Sequence, residues 1–133
     1  MTDPIRWLTP GMVKAFHQEL IGRYGGEPGM LDENLLESAL ARPANRAGYD
    51  RSATIFDPAA EYCAGIVRNH PFVDGNKRAG LLAAIVFLSF NGYRFGADEA
   101  NIVVMIDALA AGNLDTGDLA GWFAGNSVSK PGV

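Results

Sequence analysis

Apolar residues recur along most of this chain at intervals of three and four residues, the spacing that places side chains on one face of an α-helix. The first such stretch begins after Thr9 and Pro10, a capping residue and a proline suited to the first helical position. It ends at Gly25 and Gly26, which favour helix termination. The pattern predicts an amphipathic helix whose apolar face consists of Met12, Val13, Phe16, Leu20, Ile21 and Tyr24.

The next helix is expected to start after Asp32, another capping residue, and to be short. Arg42 is followed by Pro43, and the residue before a proline is disfavoured in the α conformation, so this helix should stop there. Residues 44–54 are polar and small and are interpreted as a surface loop. A capping aspartate and a proline occur again at residues 57–58 and predict the start of a third helix.

Residues 79–90 are apolar on nearly every side, which indicates a helix buried in the middle of the domain. Two more helices are predicted at residues 97–111 and 115–124, and residues 127–133 are expected to form a mobile tail. No segment alternates between apolar and polar residues with a period of two. We therefore predict an all-α bundle of about six helices around a central buried helix that starts near Asn76.

Composition and charge limit the class of protein further. The chain has 133 residues, of which 48% are hydrophobic, enough for a single domain over residues 1–133 with a proper core. Its net charge of −4 argues against a surface that tracks nucleic-acid phosphates. No leader segment opens the sequence and no apolar run is long enough to span a bilayer, so we expect a cytoplasmic protein without a membrane partner.

Three residues of reactive types are interpreted as structural. His17 lies at the edge of the first apolar face, without a cysteine or carboxylate at metal-ligand spacing. Cys63 is the only cysteine and falls among apolar helix positions, which excludes an internal disulfide and favours plain packing. Asp107 interrupts an apolar helix face and is expected to face solvent or to be hydrogen-bonded.

Residues 70–80 concentrate useful chemistry in the order His-Pro-Phe-Val-Asp-Gly-Asn-Lys-Arg-Ala-Gly. His70 precedes a proline and is expected to be extended, just after a helix ends. Asn76 is expected to cap the next helix, which places Lys77 and Arg78 in its first turn. The helix dipole disfavours cations there by roughly a few tenths of a kcal/mol each. A bound phosphate would remove this conflict, so the stretch predicts an anion site.

The same stretch supplies the groups needed for phosphoryl or nucleotidyl transfer. His70 is a candidate general base, Asp74 a hard oxygen ligand for Mg²⁺, and Gly75 a point of close backbone approach. The candidate hydrogen-bond donors to phosphate are Asn76, Lys77 and Arg78. The alternative from these residues alone is a capped helix whose basic side chains are solvated, with a histidine that merely ends the preceding helix.

The stretch resembles the signature of the Fic/Doc family, His-x-Phe-x-Asp-(Ala/Gly)-Asn-Lys-Arg in its Doc branch, at every fixed position. Residues 23–30, Arg-Tyr-Gly-Gly-Glu-Pro-Gly-Met, are similar to the corresponding segment of Doc-type toxins. The resemblance runs from about Thr9 to Trp122. It implies a compact Fic-type fold and a transferase that acts on a protein hydroxyl with ATP and magnesium.

The resemblance also implies a role for each matching residue. His70 would take the proton of a substrate Thr or Ser hydroxyl, Phe72 would anchor the loop in the core, and Asp74 would hold Mg²⁺. The residues that would bind and neutralise the phosphates are Gly75, Asn76, Lys77 and Arg78. Arg68, at the end of the preceding helix, and Arg23, in the glycine-rich segment, are further candidates for nucleotide binding.

Two positions separate the branches of the family. Fic AMP-transferases resemble His-Pro-Phe-x-x-Gly-Asn-Gly-Arg-x-x-Arg, with glycine where this chain has Lys77 and arginine where it has Leu81. Residues 70–72 and Gly75 are AMP-transferase-like, but Lys77 adds bulk and charge beside the anion hole. We therefore favour a Doc-type kinase that presents the γ-phosphate. AMP transfer is the alternative, and a non-catalytic phosphate-binding module is the second alternative.

The implied biological role is that of a toxin in a toxin–antitoxin pair, which phosphorylates elongation factor Tu and arrests translation. No stretch of the chain matches Ser/Thr-x-x-x-Glu-Gly/Asn, the inhibitory helix with which some family members restrain themselves. We therefore expect a small antitoxin whose helix lies in an apolar groove of this domain. The loop predicted at residues 44–54 is a place for the substrate-binding flap that Fic-type folds carry.

Overall fold

The predicted all-α architecture is confirmed in the computed structural model, which describes residues 4–131. Its six helices are α1 Pro10–Tyr24, α2 Glu33–Tyr49, α3 Phe56–Asn69, α4 Asn76–Phe90, α5 Glu99–Ala110 and α6 Thr116–Gly125. Two three-residue strands, β1 Tyr93–Phe95 and β2 Ser127–Ser129, form a small antiparallel sheet. Within residues 4–131, no helix is both long and apolar enough to cross a bilayer.

Helices α3 and α4 form the centre of the core and carry residues 70–75 between them. Helix α3 packs against α2, α4 and α6, and nine of its residues are buried. Small side chains on both central helices allow a close approach, because a Cβ added at Gly80 would lie 2.9 Å from the carbonyl oxygen of Cys63. Cys63 is fully buried, as packing predicts, and this burial raises the pKa of its thiol to about 12.

Short polar side chains begin most helices, as the sequence predicts. Backbone N–H groups in the first turns of α1, α2, α5 and α6 donate to the side chains of Thr9, Asp32, Asp98 and Asp115. Helix α3 is different, because it begins at Phe56 and Asp57 lies inside its first turn. The Asp57 carboxylate instead accepts a hydrogen bond from the Thr54 N–H at 2.7 Å, which stabilises the chain just before the helix.

The prediction that α2 stops at Pro43 is wrong, since the helix continues to Tyr49. Pro43 has no N–H, so the carbonyl of Ala39 loses its helical donor. That carbonyl faces α3, where a Cβ added at Gly65 would lie 3.2 Å from its oxygen. Pro43 itself is fully buried, so packing of α2 on α3 outweighs the lost hydrogen bond. The loop expected at residues 44–54 is correspondingly shorter, because its first six residues are helical.

The mobile tail predicted from Ser127 is wrong for its first three residues, which form β2. They pair with β1 in the register Tyr93↔Ser129, Arg94↔Val128 and Phe95↔Ser127. Lys130 continues the attachment, since its N–H donates to the Gly92 carbonyl at 2.9 Å. A strand of three residues is too short to show a period of two, so periodicity gave no sign of it. Residues 132–133 of the predicted tail lie outside the described residues.

The close crossing of α3 and α4 makes a testable prediction about Gly80. In Gly80→Ala, the new methyl group would also lie 2.9 Å from Val67 Cγ2, so the two helices must separate. We expect a lower free energy of unfolding by about 1–2 kcal/mol in urea denaturation, since overpacking outweighs the gain in helix propensity.

Gly121→Ala is the matched control, because Gly121 lies in α6 with no atom within 4 Å of its added Cβ. That substitution should stabilise the protein by about 0.5–1 kcal/mol. Equal effects of the two substitutions would contradict the close helix crossing.

Candidate active site

His70 ends α3 in a left-handed conformation, with φ 54° and ψ 55°. The expectation of an extended residue before Pro71 is therefore wrong. The N–H of His70 donates to the Ile66 carbonyl at 3.1 Å, which caps the helix and turns the chain back toward α4. His70 is the only non-glycine residue with positive φ among residues 4–131. Such a conformation costs roughly 1–2 kcal/mol, so the surrounding contacts must hold it.

Asn76 holds the loop that follows His70, and it is not the cap of α4 that the sequence predicts. Its side chain is buried, accepts the Phe72 N–H at 3.0 Å and donates to the Phe72 carbonyl at 2.9 Å. Residue Gly75 precedes the helix instead, with φ 77°. The amide side chain is drawn inward because it satisfies both backbone groups of a buried residue, which would otherwise lack partners.

Phe72 is 1% exposed and lies between the loop and α1. The ring of His17 stacks on it, with centroids 3.8 Å apart and planes 5° apart. Nε2 of His17 lies 2.7 Å from the carbonyl oxygen of Asp74. His17 is thus structural, as predicted, and it contacts the loop that carries the candidate site.

Residues 25–31, which overlap the glycine-rich segment of residues 23–30, lie directly against this loop. The Val73 N–H donates to the Gly29 carbonyl at 3.0 Å, and the Leu31 N–H donates to the Pro71 carbonyl at 2.8 Å. The carboxylate of Asp74 accepts the Glu27 N–H at 3.2 Å. A Cβ at Gly26 would lie 2.8 Å from Asp74 Oδ2, so only glycine fits there. The two segments that resemble the family are therefore in contact.

The side chain of Asp74 is exposed and its hydrogen bonds stabilise the charged form. The backbone N–H of Glu27 is the largest influence that lowers the pKa of the Asp74 carboxyl, followed by the N–H of Gly75 and the charge of Arg78. Each carboxylate oxygen has a second lone pair, so both can still accept a further ligand. Asp74 is thus an ionised oxygen donor at the ordinary pH of a cell.

A cavity of about 710 Å³ lies where the end of α3, the loop and the start of α4 meet. It falls within the range of about 300–1,000 Å³ that is typical of small-molecule sites. Its polar and charged lining residues are Arg68, His70, Asp74, Asn76, Lys77 and Arg78. The cavity therefore brings together most of the residues that the sequence singles out.

The N-terminus of α4 opens onto this cavity without a side-chain cap. The first N–H to bond is that of Ala79, which donates to the Gly75 carbonyl at 2.9 Å. The N–H groups of Asn76, Lys77 and Arg78 have no helical acceptor, and no side chain of the described residues caps them. Free N–H groups and the positive end of the dipole are the features that favour anion binding at a helix N-terminus, so this end of α4 is a candidate anion site.

The basic residues around the cavity each have a protein partner. Lys77 Nζ lies 3.0 Å from Asp107 Oδ1 on α5, so Asp107 is hydrogen-bonded, as predicted. The guanidinium of Arg78 lies over the ring of Tyr24, 4.7 Å from its centroid. The guanidinium of Arg68 donates to the Leu114 carbonyl at 2.8 Å. These contacts hold three cations at the rim of one cavity.

Arg23 is not among the residues that line the cavity. It is exposed and pairs with Glu19 one turn earlier in α1, at 3.5 Å. Its role in nucleotide binding stays a prediction.

Sequence reasoning did not identify the contacts of Tyr24, Asp107 and His17 with the site. A signal existed for His17, which lies four residues after the buried Val13 and hence on the same helix face.

The carboxylates around the cavity limit the kind of metal site that can form there. No group of three His, Cys, Asp or Glu side chains within residues 4–131 could hold a metal ion by itself. Among the described residues, Asp74 is the only carboxylate that lines the cavity. This fits Mg²⁺, which proteins often bind through one or two carboxylates together with substrate phosphates and water. A protein-only metal site does not fit.

Comparisons of the sequence with known proteins show the family. The sequence profile of the Fic/DOC family matches residues 7–88, and the chain belongs to that family. It is 32% identical over 116 residues to "Protein kinase doc" of Escherichia phage P1, covering 87% of this chain and 91% of the relative. It is 43% identical over 76 residues to "Toxin Doc" of Mycolicibacterium smegmatis, covering 56% of this chain and 58% of the relative.

The pKa of Asp74 predicts how stability changes with pH. Because its folded-state pKa lies below the unfolded value, the carboxylate stabilises the fold above about pH 4, and this contribution is lost as the pH falls through the folded value. Asp74→Asn cannot titrate, so its loss of stability relative to the unmodified protein should be largest near neutral pH and shrink below about pH 4. Urea denaturation over this pH range measures the difference. A difference that stays constant with pH would contradict the hydrogen-bonded carboxylate.

Proposed function

We propose that this protein is the toxin of a toxin–antitoxin pair and that it transfers the γ-phosphate of ATP to a Thr or Ser hydroxyl of a protein. The observation that carries the proposal is the single cavity of about 710 Å³ that His70, Asp74 and the uncapped start of α4 share. The relatives named "Protein kinase doc" and "Toxin Doc" support both parts of it.

His70 is the general base of the proposed reaction. Its left-handed backbone turns it out of α3 at the rim of the cavity, where the side chain is exposed to an incoming hydroxyl. The hydroxyl oxygen attacks the γ-phosphorus, the bond from that phosphorus to the bridging oxygen breaks, and ADP leaves. His70 takes the hydroxyl proton. A base in this position contributes about 10²–10⁴-fold to the rate.

The start of α4 binds the phosphates of the nucleotide. Its free N–H groups and dipole favour anions, and Lys77 and Arg78 add positive charge in the first turn. These two side chains are disfavoured at a helix N-terminus until an anion arrives. Charge that develops on the phosphate oxygens during transfer is then stabilised by groups that are already in place.

Asp74 is the residue that would hold a magnesium ion against the phosphates. The ion would neutralise phosphate charge during the reaction. The hydrogen bonds from Glu27 and Gly75 fix the carboxylate and leave a lone pair on each oxygen. The position of this ligand is therefore set by backbone, independently of any nucleotide.

Lys77 is our reason for proposing transfer of the γ-phosphate rather than of AMP. A glycine in its place would leave room beside the start of α4 for the α-phosphate. The ammonium group is now held 3.0 Å from Asp107, at the side of the cavity formed by α5. This ion pair is more than half exposed and is worth at most about 1 kcal/mol, so a phosphate can compete for the lysine.

The protein acceptor in the proposal is elongation factor Tu, which the resemblance to Doc-type toxins implies. The proposed inhibitor is a small antitoxin that places a helix in an apolar groove. Helix α5 supplies one apolar surface near the site, since Val103 and Val104 are 53% and 64% exposed. Val103 lies one helical turn before Asp107, the partner of Lys77.

The deciding experiment is incubation of the protein and magnesium with a bacterial lysate and ATP labelled at the α- or the γ-phosphate. A kinase moves only the γ label onto protein, an AMP-transferase moves only the α label, and a binding module moves neither. We expect γ transfer alone. Transfer of the α label alone would refute the kinase assignment while keeping His70 and Asp74 in their roles.

Variants at two positions accompany this assay. His70→Ala should lower transfer by about 100-fold or more with nucleotide binding retained, because the base acts only as the hydroxyl attacks. Lys77→Gly should lower γ transfer by about tenfold or more and permit some α transfer. Lys77→Ala is its matched control, since it removes the same ammonium without the backbone freedom of glycine.

The need for an external antitoxin predicts growth arrest when the unmodified protein is expressed alone in bacteria. The His70→Ala variant, expressed to the same level, should leave growth unchanged. If bacteria that contain the active protein grow normally while transfer is measured in their lysate, the proposed antitoxin is unnecessary and this part of the proposal fails.

A further inference from the structure

We infer that His17 is a positioning residue for the active-site loop, and that its hydrogen bond to the carbonyl of Asp74 fixes the position of the Asp74 carboxylate and of the start of α4. The chemical role of that site rests on the proposed function, but the role of His17 in holding the loop does not. His17 comes from α1, a helix outside the family signature of residues 70–80.

The hydrogen bond has a defined direction. A carbonyl oxygen can only accept, so Nε2 of His17 carries the proton and donates to Asp74 at 2.7 Å. The imidazole is 4% exposed, which removes water as a competing partner for most of the ring. A short bond in such surroundings restrains the peptide between Asp74 and Gly75 strongly.

That peptide is the junction between the metal ligand and the anion site. The carbonyl that His17 holds belongs to the residue whose carboxylate faces the cavity, and the next residue, Gly75, immediately precedes α4. Gly75 also lies close to the ring, because its added Cβ would be 3.6 Å from His17 Nε2. Any movement of this peptide therefore moves both functional groups together.

His17 is not among the residues that line the cavity of the candidate active site. It lines a separate cavity of about 260 Å³ together with Phe72 and Met30. The stacking of its ring on Phe72 stabilises the core, whereas the Nε2 donor reaches the loop. These two contributions can be separated by substitution.

The experiment uses two variants of the full chain. His17→Phe keeps an aromatic ring against Phe72 and removes the donor. His17→Gln keeps an N–H donor of similar reach and removes the ring. Tyr62→Phe is the control, because it removes another buried hydrogen bond, from the Leu8 N–H at 2.9 Å, in which no residue of the loop takes part.

Amide hydrogen exchange measured by NMR distinguishes a local role from a general loss of stability. Destabilisation of the whole fold accelerates all core amides equally. In His17→Phe, the amides of Phe72 and Val73 should exchange about tenfold faster relative to those of α3 and α4. In His17→Gln and Tyr62→Phe this ratio should stay as in the unmodified protein. An unchanged ratio in His17→Phe, or an equal increase in His17→Gln, would overturn the inference.

Label transfer from ATP provides the second measurement. His17→Phe should lose about tenfold more transfer activity than Tyr62→Phe, and His17→Gln should restore most of it. Equal activity of His17→Phe and Tyr62→Phe would overturn the positioning role. If the unmodified protein transfers no label, the proposed function fails, and the exchange ratios still decide the role of His17.

Discussion

The two hydrogen bonds between the side chain of Asn76 and the backbone of Phe72 are the interaction on which the rest of the site depends. They join Phe72, within the loop, to Asn76, the first residue of α4, and satisfy a buried N–H and a buried carbonyl. Together with the hydrogen bonds of His70 to Ile66 and of Leu31 to Pro71, they oppose relaxation of the left-handed turn at His70. The geometry of the candidate base therefore depends in part on a residue at the candidate anion site.

The crossing of α3 and α4 supplies the second constraint. Gly80 lies about one turn after the start of α4. Because it has no side chain, the backbone of α4 can approach the backbone of α3 closely at this point. The end of α3 and the start of α4 are thereby held close together. The loop that connects them has six residues. A short loop between two packed helices has few alternative conformations, which suits a site that must be in place before its substrate binds.

Residues 25–31 and helix α1 also contact the loop and stabilise its position. Backbone hydrogen bonds from Val73 to Gly29 and from Leu31 to Pro71 resemble the start of a small sheet. Asp74 contributes to this contact by accepting the Glu27 N–H, and it also lines the cavity. One carboxylate thus serves both the folding of the segment and the proposed chemistry.

The sequence alone determined where most helices begin and singled out residues 70–80 as the candidate site, because capping, helical periodicity and a motif are local properties. Periodicity only partly identified the core, since Met12 and Tyr24 of the predicted apolar face of α1 are exposed. Tertiary structure decided the rest. Pro43 remains helical because α2 packs on α3, Asn76 turns inward because Phe72 is buried, and β2 exists because β1 pairs with it. The contacts of Lys77 with Asp107 and of His17 with Asp74 join residues 30 and 57 positions apart, so no local pattern could have shown them.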